Sequence, residues 1–189
     1  MTPILGIMAS GMSGNLWAPG KDFDSIATTT VGGGGVASIT FSSIPSTYRH
    51  LQIRSIGRSS TATASDVDVK LQFNSDTGSN YSIHYLYGTG SSAAAAATAS
   101  NSYATGGDVI KDGNTANVFA ASVIDVLDYA NTSKNKTVRA LSGWDANGSG
   151  TVYLNSGAWF NTTAISTITL TPWSGNFMQY SQFALYGVK

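Results

Sequence analysis

Several residue types are missing or scarce in this chain of 189 residues. It contains no cysteine and no glutamate, and charged residues make up only 11% of it. Without cysteine there is no disulfide framework, no zinc site built from thiolates and no thiol nucleophile. Ten Lys and Arg balance ten Asp, so the chain lacks the excess of basic side chains that nucleic-acid binding requires. We therefore expect no thiol chemistry and no nucleic-acid partner.

Long apolar runs are also absent. No segment approaches the ~20 consecutive apolar residues that a membrane-spanning helix needs. The first basic residue is Lys21, so the N-terminus lacks the charged region that opens a secretory signal peptide. The sequence predicts no membrane partner and no cleaved leader.

The abundant residues indicate the fold class. Ser, Thr, Gly, Ala and Asn together account for 102 of the 189 residues. Straight-chain polar residues, which usually cover helices, are scarce, whereas Thr and Tyr, which favour strands, are common. Short β-rich runs alternate with turn clusters from residue 25 onward. The sequence therefore predicts an all-β domain over residues 25–189, an antiparallel β-sandwich of jelly-roll-like type with roughly nine or ten strands.

The clearest strand covers residues 66–73. There Val67, Val69, Leu71 and Phe73 alternate with polar residues, as in a strand with one buried and one wet face. This strand is predicted to pair with residues 81–87, and residues 25–31 are predicted to form a hairpin with residues 36–42. Further strands are predicted over residues 50–58, 117–127, 136–144, 151–160, 165–173 and 183–188. Residues 88–102 contain five successive alanines and are predicted to form a long surface loop with at most one helical turn.

Residues 1–24 differ from the rest and are predicted to form an extended N-terminal arm. This segment is apolar, glycine-punctuated and without a sustained helical or strand period. It is too short to form a core of its own, so we expect it to dock, either onto its own domain or onto a neighbouring protein. The candidate anchor residues are Ile4, Leu5, Ile7, Met8, Met12, Leu16 and Trp17.

Candidate catalytic groups are few. His50 and His84 are the only histidines, both on predicted strands, and no G-x-S-x-G nucleophile motif is present. Carboxylate pairs of glycosidase type could come from Asp66 and Asp68, or from Asp125 and Asp128. Lys70 continues the strand face of the first pair, which favours a solvated face of mixed charge. The sequence therefore predicts no catalytic residue and no enzyme activity.

One segment has the pattern of a metal site. Asp145, Asn147, Ser149 and Gly150 reproduce the opening of a calcium-binding loop, with oxygen ligands at alternate positions followed by glycine. The glutamate that should close such a loop is replaced by Ser156. A β-turn explains the segment without a metal, so we expect neither a metal nor another cofactor.

Tyrosine and tryptophan could form a sugar-binding surface. Strand alternation places most of them on inward faces, where they would fill the core, and leaves Trp173 and Tyr180 as exposed candidates near turns. The residues considered are Tyr81, Tyr85, Tyr87, Trp144, Tyr153, Trp159, Trp173, Tyr180 and Tyr186. A glycan of a host surface therefore stays open as a partner.

Three stretches carry a resemblance to a known family: LQFNSDTGSNYS (residues 71–82), VIDVLDYANTSKNKTVRAL (123–141) and AISTITLTPWSGNFMQYSQFALYGVK (164–189). Together with the opening PILGIMASGMSGNL, they resemble a family of small virion proteins of tailed bacteriophages, including aquatic ones. The resemblance covers nearly the whole chain, and the ending SQFALYGVK is its most distinctive part. It implies a structural protein of the virion surface and brings no catalytic or binding residues to carry over.

Two roles compete within that resemblance. An outer capsid decoration (cement) protein would form a homotrimer, with the arm attaching it to the capsid or to a neighbour. A short tail fibre or receptor-binding protein would instead use the arm to attach to the tail and its loops to contact the host. The chain has no coiled-coil heptads and no repeats, which favours decoration, because fibres usually carry a shaft.

Overall fold

A computed structural model describes residues 22–189, which form twelve β-strands. The strands are β1 (Phe23–Thr30), β2 (Ile39–Phe41), β3 (His50–Ser59), β4 (Asp66–Phe73), β5 (Tyr81–Gly88), β6 (Ala93–Asn101), β7 (Ala104–Lys111), β8 (Ala120–Leu127), β9 (Lys136–Asp145), β10 (Gly150–Trp159), β11 (Ile168–Pro172) and β12 (Gln182–Val188). The described residues include no helix that is long and apolar enough to span a membrane.

The strands are arranged as two connected layers. Eight strands in the order β1-β12-β3-β8-β9-β10-β5-β6 form the large layer, and β2-β11-β4-β7 form the small one. Strand β3 joins them, because Arg58 and Ser59 at its end pair in parallel with Ile110 and Lys111 of β7. The predicted all-β, sandwich-like fold is confirmed, although this short parallel pairing makes the sheet mixed rather than purely antiparallel.

One hydrophobic core lies between the layers. The alternation in β4 is confirmed, since Val67, Val69, Leu71 and Phe73 are all buried. They pack with apolar residues of β3, β8 and β12 from the large layer, among them Ile53. Period-2 alternation thus decides which face of a strand is buried, as expected for one-sided sheets.

The predicted strand partners are wrong in two places. Strand β1 does not form a hairpin with β2; it pairs with β12, and β2 pairs with β11 in the other layer. Strand β4 does not pair with β5 either, since its neighbours are β11 and β7, whereas β5 lies between β10 and β6. Alternation specifies the faces of a strand but not its neighbour, and sequence proximity misled the pairing.

The alanine-rich segment is a strand, not a loop. Strand β6 occupies Ala93–Asn101 and pairs antiparallel with β5, from Ala93 opposite Gly88 to Asn101 opposite Tyr81. Alanine is the strongest helix former, but intrinsic propensity is worth little in a run of five residues, and pairing with the edge of β5 outweighs it. The prediction of a surface loop over residues 88–102 is therefore wrong for its central part.

Strand β7 has no counterpart in the sequence prediction. All but its last residue are buried, so it shows no alternation, and Gly106, Gly107 and Asp108 are residues that strands usually avoid. Gly107 has φ +83°, and a Cβ there would lie 2.9 Å from the Cβ of Ser142. The strand crosses the inner side of β8, β9 and β10 so closely that only glycine fits at this point.

Candidate assembly surface and inter-layer cleft

The outer face of the large layer carries a row of exposed apolar side chains. Val123, Leu141, Leu154 and Leu86 are successive cross-strand partners on β8, β9, β10 and β5, and Ala95 of β6 continues the line. The four larger side chains are 40% to 55% exposed. Five strands at ordinary spacing give a straight row of roughly 19 Å. We call these five residues the apolar row.

Polar residues border the apolar row on one side. The next outward-facing line across the same strands consists of Asp125, Arg139, Ser156, His84 and Ala97. On the other side Val152 is 58% exposed and enlarges the apolar surface. Several aligned apolar side chains with a polar border on one side suit a protein interface, whereas single exposed apolar residues are ordinary.

Strand β6 is an unprotected edge. In the described part of the chain it pairs only with β5, so its other side presents free backbone N–H and C=O groups. It carries no charged residue and no proline, which are the features that usually protect an edge from pairing with another chain. This edge continues the apolar row and can accept a further strand.

The two histidines lie apart, in unrelated surroundings. His50 accepts a hydrogen bond at Nδ1 from the backbone N–H of Asp128, at 3.0 Å. Lys134 donates to the carboxylate of Asp128 at 2.8 Å, and this bond lowers the pKa of that carboxyl. His84 lies on the rim of the apolar row. Asp125 accepts a hydrogen bond from Gln52 at 2.9 Å and forms no pair with Asp128.

The calcium-like segment forms the turn between β9 and β10. The Asp145 carboxylate accepts hydrogen bonds from the backbone N–H groups of Asn147 at 2.7 Å and Gly148 at 3.4 Å. Asn147 adopts φ 62°, a conformation that asparagine tolerates in turns. Within residues 22–189, no three metal-ligating side chains come together as a metal site would require.

A cleft of about 450 Å³ lies between the inner face of β5, β6 and β10 and the strands β4 and β7. Four tyrosines line it: Tyr85 and Tyr87 from β5, Tyr153 from β10, and Tyr103, which precedes β7. The ring centroids of Tyr87 and Tyr153 are 5.2 Å apart, and Tyr85 lies 6.1 Å from Tyr87 and 6.5 Å from Tyr153. Tyr87 and Tyr153 are also cross-strand partners, so strand pairing holds the rings together.

Carboxylates from β4 form the opposite wall of the cleft. Asp66 and Asp68, for which the sequence predicts a solvated face, both line it, with Asp66 partly buried and Asp68 exposed. The cross-strand partner of Asp68 is Asp108 of β7, which is buried and accepts a hydrogen bond from Ser142 at 3.0 Å. Burial, together with the neighbouring Asp68, raises the pKa of Asp108 to about 9. Asp108 is therefore protonated at neutral pH, and it can donate to Asp68.

Two polar atoms at the cleft lack hydrogen-bond partners. Asn155 is only 3% exposed, and its side-chain N–H donors have no acceptor among the described residues. The Oδ2 atom of Asp66 is likewise buried and has no partner within hydrogen-bond distance, although the Tyr153 hydroxyl lies near this carboxylate. Buried polar groups are nearly always paired, so water or a ligand in the cleft must supply the partners of this donor and this acceptor.

An aromatic pair, the half-buried Tyr103 and the exposed Trp173, extends the cleft. Tyr103, Asp66 and Asp68 also line a shallower pocket that ends at Trp173. The Lys70 ammonium lies 4.4 Å from the Trp173 ring centroid, and the rings of Tyr103 and Trp173 are 5.8 Å apart. Trp173 is 56% and Tyr180 67% exposed, so the prediction of these two as exposed aromatics is confirmed. Tyr180 lies elsewhere, beside Arg58 and Met178.

Sequence reasoning anticipated only part of this arrangement. It considered Asp66, Asp68 and the tyrosines, but it missed Asn155, Tyr103 and Asp108. The one available signal for Asp108 is a single acid that directly precedes the apolar pair Val109 and Ile110. The seven candidate anchor residues of the arm lie in residues 1–21, outside the described residues.

The fold and these surfaces define the class as an all-β, sandwich-like protein. No protein-family model matches the chain, and no curated protein matches it. The resemblance to tailed-phage virion proteins therefore stays a prediction.

Proposed function

We propose that this protein is a non-enzymatic structural protein of a tailed-phage virion. In this proposal it is an outer capsid decoration protein on the particle surface, attached to other virion proteins through its N-terminal arm and assembled as a homotrimer. The observation that supports it best is the apolar row, whose four large side chains are about half exposed on the outer face of the large layer.

The apolar row suits contacts between copies of this chain. Its members sit at matching register positions on adjacent strands, so they form one continuous surface rather than scattered exposures. The net charge is zero, so copies packed at high density on a shell would repel one another little. The free edge of β6 adjoins the same surface and offers backbone hydrogen bonds to a neighbour.

Sedimentation equilibrium tests the homotrimer. We expect the wild-type protein to be trimeric at micromolar concentration and the double variant Leu141→Ser/Leu154→Ser to shift towards monomer. Phe160→Ser is a matched control, because Phe160 is 57% exposed but follows Leu154 by six residues, roughly 20 Å along an extended chain. A wild-type monomer, or a double variant that stays trimeric, would contradict this part of the proposal.

Deletion of residues 1–19 tests the role of the arm. We expect the truncated protein to keep its β-sheet circular dichroism and its unfolding temperature but to be absent from assembled virions. Incorporation at the wild-type level would show that the arm is not the attachment.

The second candidate is a short tail fibre or receptor-binding protein, and the cleft favours it. A cleft lined by tyrosines and carboxylates would give a protein that contacts a host surface a place to bind it. Quantitative mass spectrometry of purified virions separates the two roles. Enough copies to cover the shell would support decoration, and a few copies located at the tail would support the fibre.

A further inference from the structure

We propose that the inter-layer cleft binds a neutral oligosaccharide, with one sugar between the tyrosines and the β4 wall and the chain continuing over Tyr103 to Trp173. This proposal does not depend on whether the protein sits on the capsid or the tail. It stands on the shape of the cleft, the chemistry of its two walls and its unpaired polar atoms.

The two walls suit the two kinds of surface that a sugar presents. A sugar ring has apolar C–H faces and polar hydroxyl edges. The rings of Tyr85, Tyr87 and Tyr153 support one another, so they lose little conformational freedom when an apolar face packs on them. Across the cleft, Asp66 and Asp68 can accept hydrogen bonds from hydroxyl groups. The volume of about 450 Å³ lies within the usual range for small-ligand sites.

The charge of the cleft itself selects against anionic sugars, whereas Lys111 and Lys70 lie at the adjoining pocket that ends at Trp173. The ionisable side chains that line it, apart from tyrosines, are Asp66 and Asp68, and the adjacent Asp108 is kept neutral by burial. A sialic acid, a sulfate or a phosphate would therefore meet like charge in a partly desolvated site. A ligand without net charge meets no such penalty.

The unpaired atoms fit hydroxyl groups in particular. The amide of Asn155 needs an acceptor, and Oδ2 of Asp66 needs a donor. A hydroxyl both donates and accepts, so the adjacent hydroxyls of one sugar can meet both needs. Thr89, Thr98, Thr105 and Thr151 also line the cleft and provide further groups of this kind.

The route to Trp173 defines a second subsite. Tyr103 borders both the cleft and the shallow pocket, and Trp173 lies at the far end with its indole ring exposed. Lys70 and Tyr103 contact the Trp173 ring and hold it in place. A chain longer than one sugar would thus gain a second aromatic contact, and we expect affinity to rise with chain length.

Binding of the full-length protein to an array of immobilised neutral, sialylated and sulfated oligosaccharides tests the proposal. We expect binding to neutral members only, followed by calorimetric titration with the strongest one in free form. The variant Asp66→Asn/Asp68→Asn should weaken that binding by roughly 10- to 100-fold, because hydrogen bonds to charged groups are lost. Trp173→Ala should reduce the gain in affinity with chain length while leaving the shortest ligand unaffected.

Matched controls separate a local effect from a loss of structure. Asp22→Asn removes an exposed carboxylate outside the cleft, and Tyr180→Ala removes an exposed aromatic beside a different pocket. Both should bind as the wild type does, and all variants should keep its unfolding temperature to within a few degrees. If Asp66→Asn/Asp68→Asn fails to fold, Tyr85→Ala provides the same test from the opposite wall.

Three outcomes would overturn the proposal. The first is a wild-type protein that binds no neutral oligosaccharide, the second is binding that the cleft variants leave unchanged, and the third is a preference for anionic sugars. Titration with calcium chloride alone adds a further check. A calcium-dependent shift of the Asp66 and Asp68 NMR signals without any sugar binding would show a cation site instead. None of these outcomes bears on the virion copy number, so this proposal and the proposed function can fail separately.

Discussion

Replacing Arg58 with alanine should lower the stability of the fold, because in the described structure no other side chain forms as many hydrogen bonds. Arg58 is 4% exposed at the end of β3, where the large and small layers join. Its guanidinium donates to the carbonyl oxygens of Asp112, Asn114, Thr115 and Val118 at 2.8 to 3.0 Å, and to the Asp112 carboxylate at 3.1 Å. All five of its donors are thus used to hold the connection between β7 and β8.

The carbonyl contacts, rather than the ion pair, should dominate the loss of stability. The Asp112 side chain is 46% exposed, so solvent screens its attraction to Arg58 and the pair contributes little. The four carbonyls lose a charged donor together, and some of them regain water because the connection lies at the surface. For Arg58→Ala we expect the free energy of unfolding to fall by about 3–5 kcal/mol. Arg58→Lys should cost about 2 kcal/mol, because a compact ammonium with three donors cannot span the same acceptors.

Urea unfolding followed by tryptophan fluorescence and by circular dichroism measures these differences. Arg49→Ala is the control, since Arg49 is exposed and lies outside the apolar row, and it should change stability by less than about 0.5 kcal/mol. Amide hydrogen exchange over residues 112–119 should accelerate in Arg58→Ala. A loss below about 1 kcal/mol with an unchanged denaturant slope and unchanged exchange would refute the reasoning.

Three further predictions concern ionisable groups, of which Asp108 and Lys136 are buried and Asp76 is partly exposed. Burial raises the pKa of Asp108 in the folded state, so the folded protein holds a proton that the unfolded chain releases. The free energy of unfolding should therefore fall as pH rises from the ordinary carboxyl range to about 9, by up to about 1.4 kcal/mol per pH unit. Thermal unfolding of Asp108→Asn across that range should show a flatter dependence on pH. The hydrogen bond from Trp159 Nε1, at 2.7 Å, lowers the pKa of the Asp76 carboxyl. The stability that this bond contributes should be present above the ordinary carboxyl pKa and lost as pH falls through the pKa of Asp76 in the folded protein. Asp76→Asn should weaken this acid transition, followed by tryptophan fluorescence, and an unchanged transition would contradict the assignment. Lys136 is fully buried and donates to three carbonyl oxygens, so Lys136→Met should lower the free energy of unfolding in urea by about 2–4 kcal/mol. Lys134→Met, at a 60% exposed position, should lower it by about 0.5 kcal/mol. Equal losses of stability would show that burial is not the cause.

The sequence predicted the strand faces well and the strand neighbours poorly. Residues 66–73 alternate so regularly that their buried face could be assigned residue by residue. Strand β7 escaped prediction because it is buried on both sides and therefore shows no alternation. Strand β6 escaped because five alanines carry almost no information about a sheet, and its strand state comes from the edge of β5.

The two candidate surfaces differ in how far the sequence could predict them. Trp173 and Tyr180 lie near turns and could be identified as exposed aromatics. The apolar row could not be identified, because each member is a single apolar residue on its own strand and only the register aligns them. For the same reason the unpaired amide of Asn155 became visible only when β10 had been placed opposite β4.

Composition and alternation alone determined that this chain is an all-β protein without thiol chemistry, with balanced charge and with a definite inner face on its most regular strands. Those properties depend on residue type and on the two-residue period of a strand, which are local. Which strands are neighbours was decided only by the tertiary structure, because many pairings satisfy the same alternation and close packing selects among them. The cleft follows from that selection, since it joins Asp66 of β4 and Tyr85 of β5, which are consecutive strands that do not pair, with Tyr153 of the distant β10.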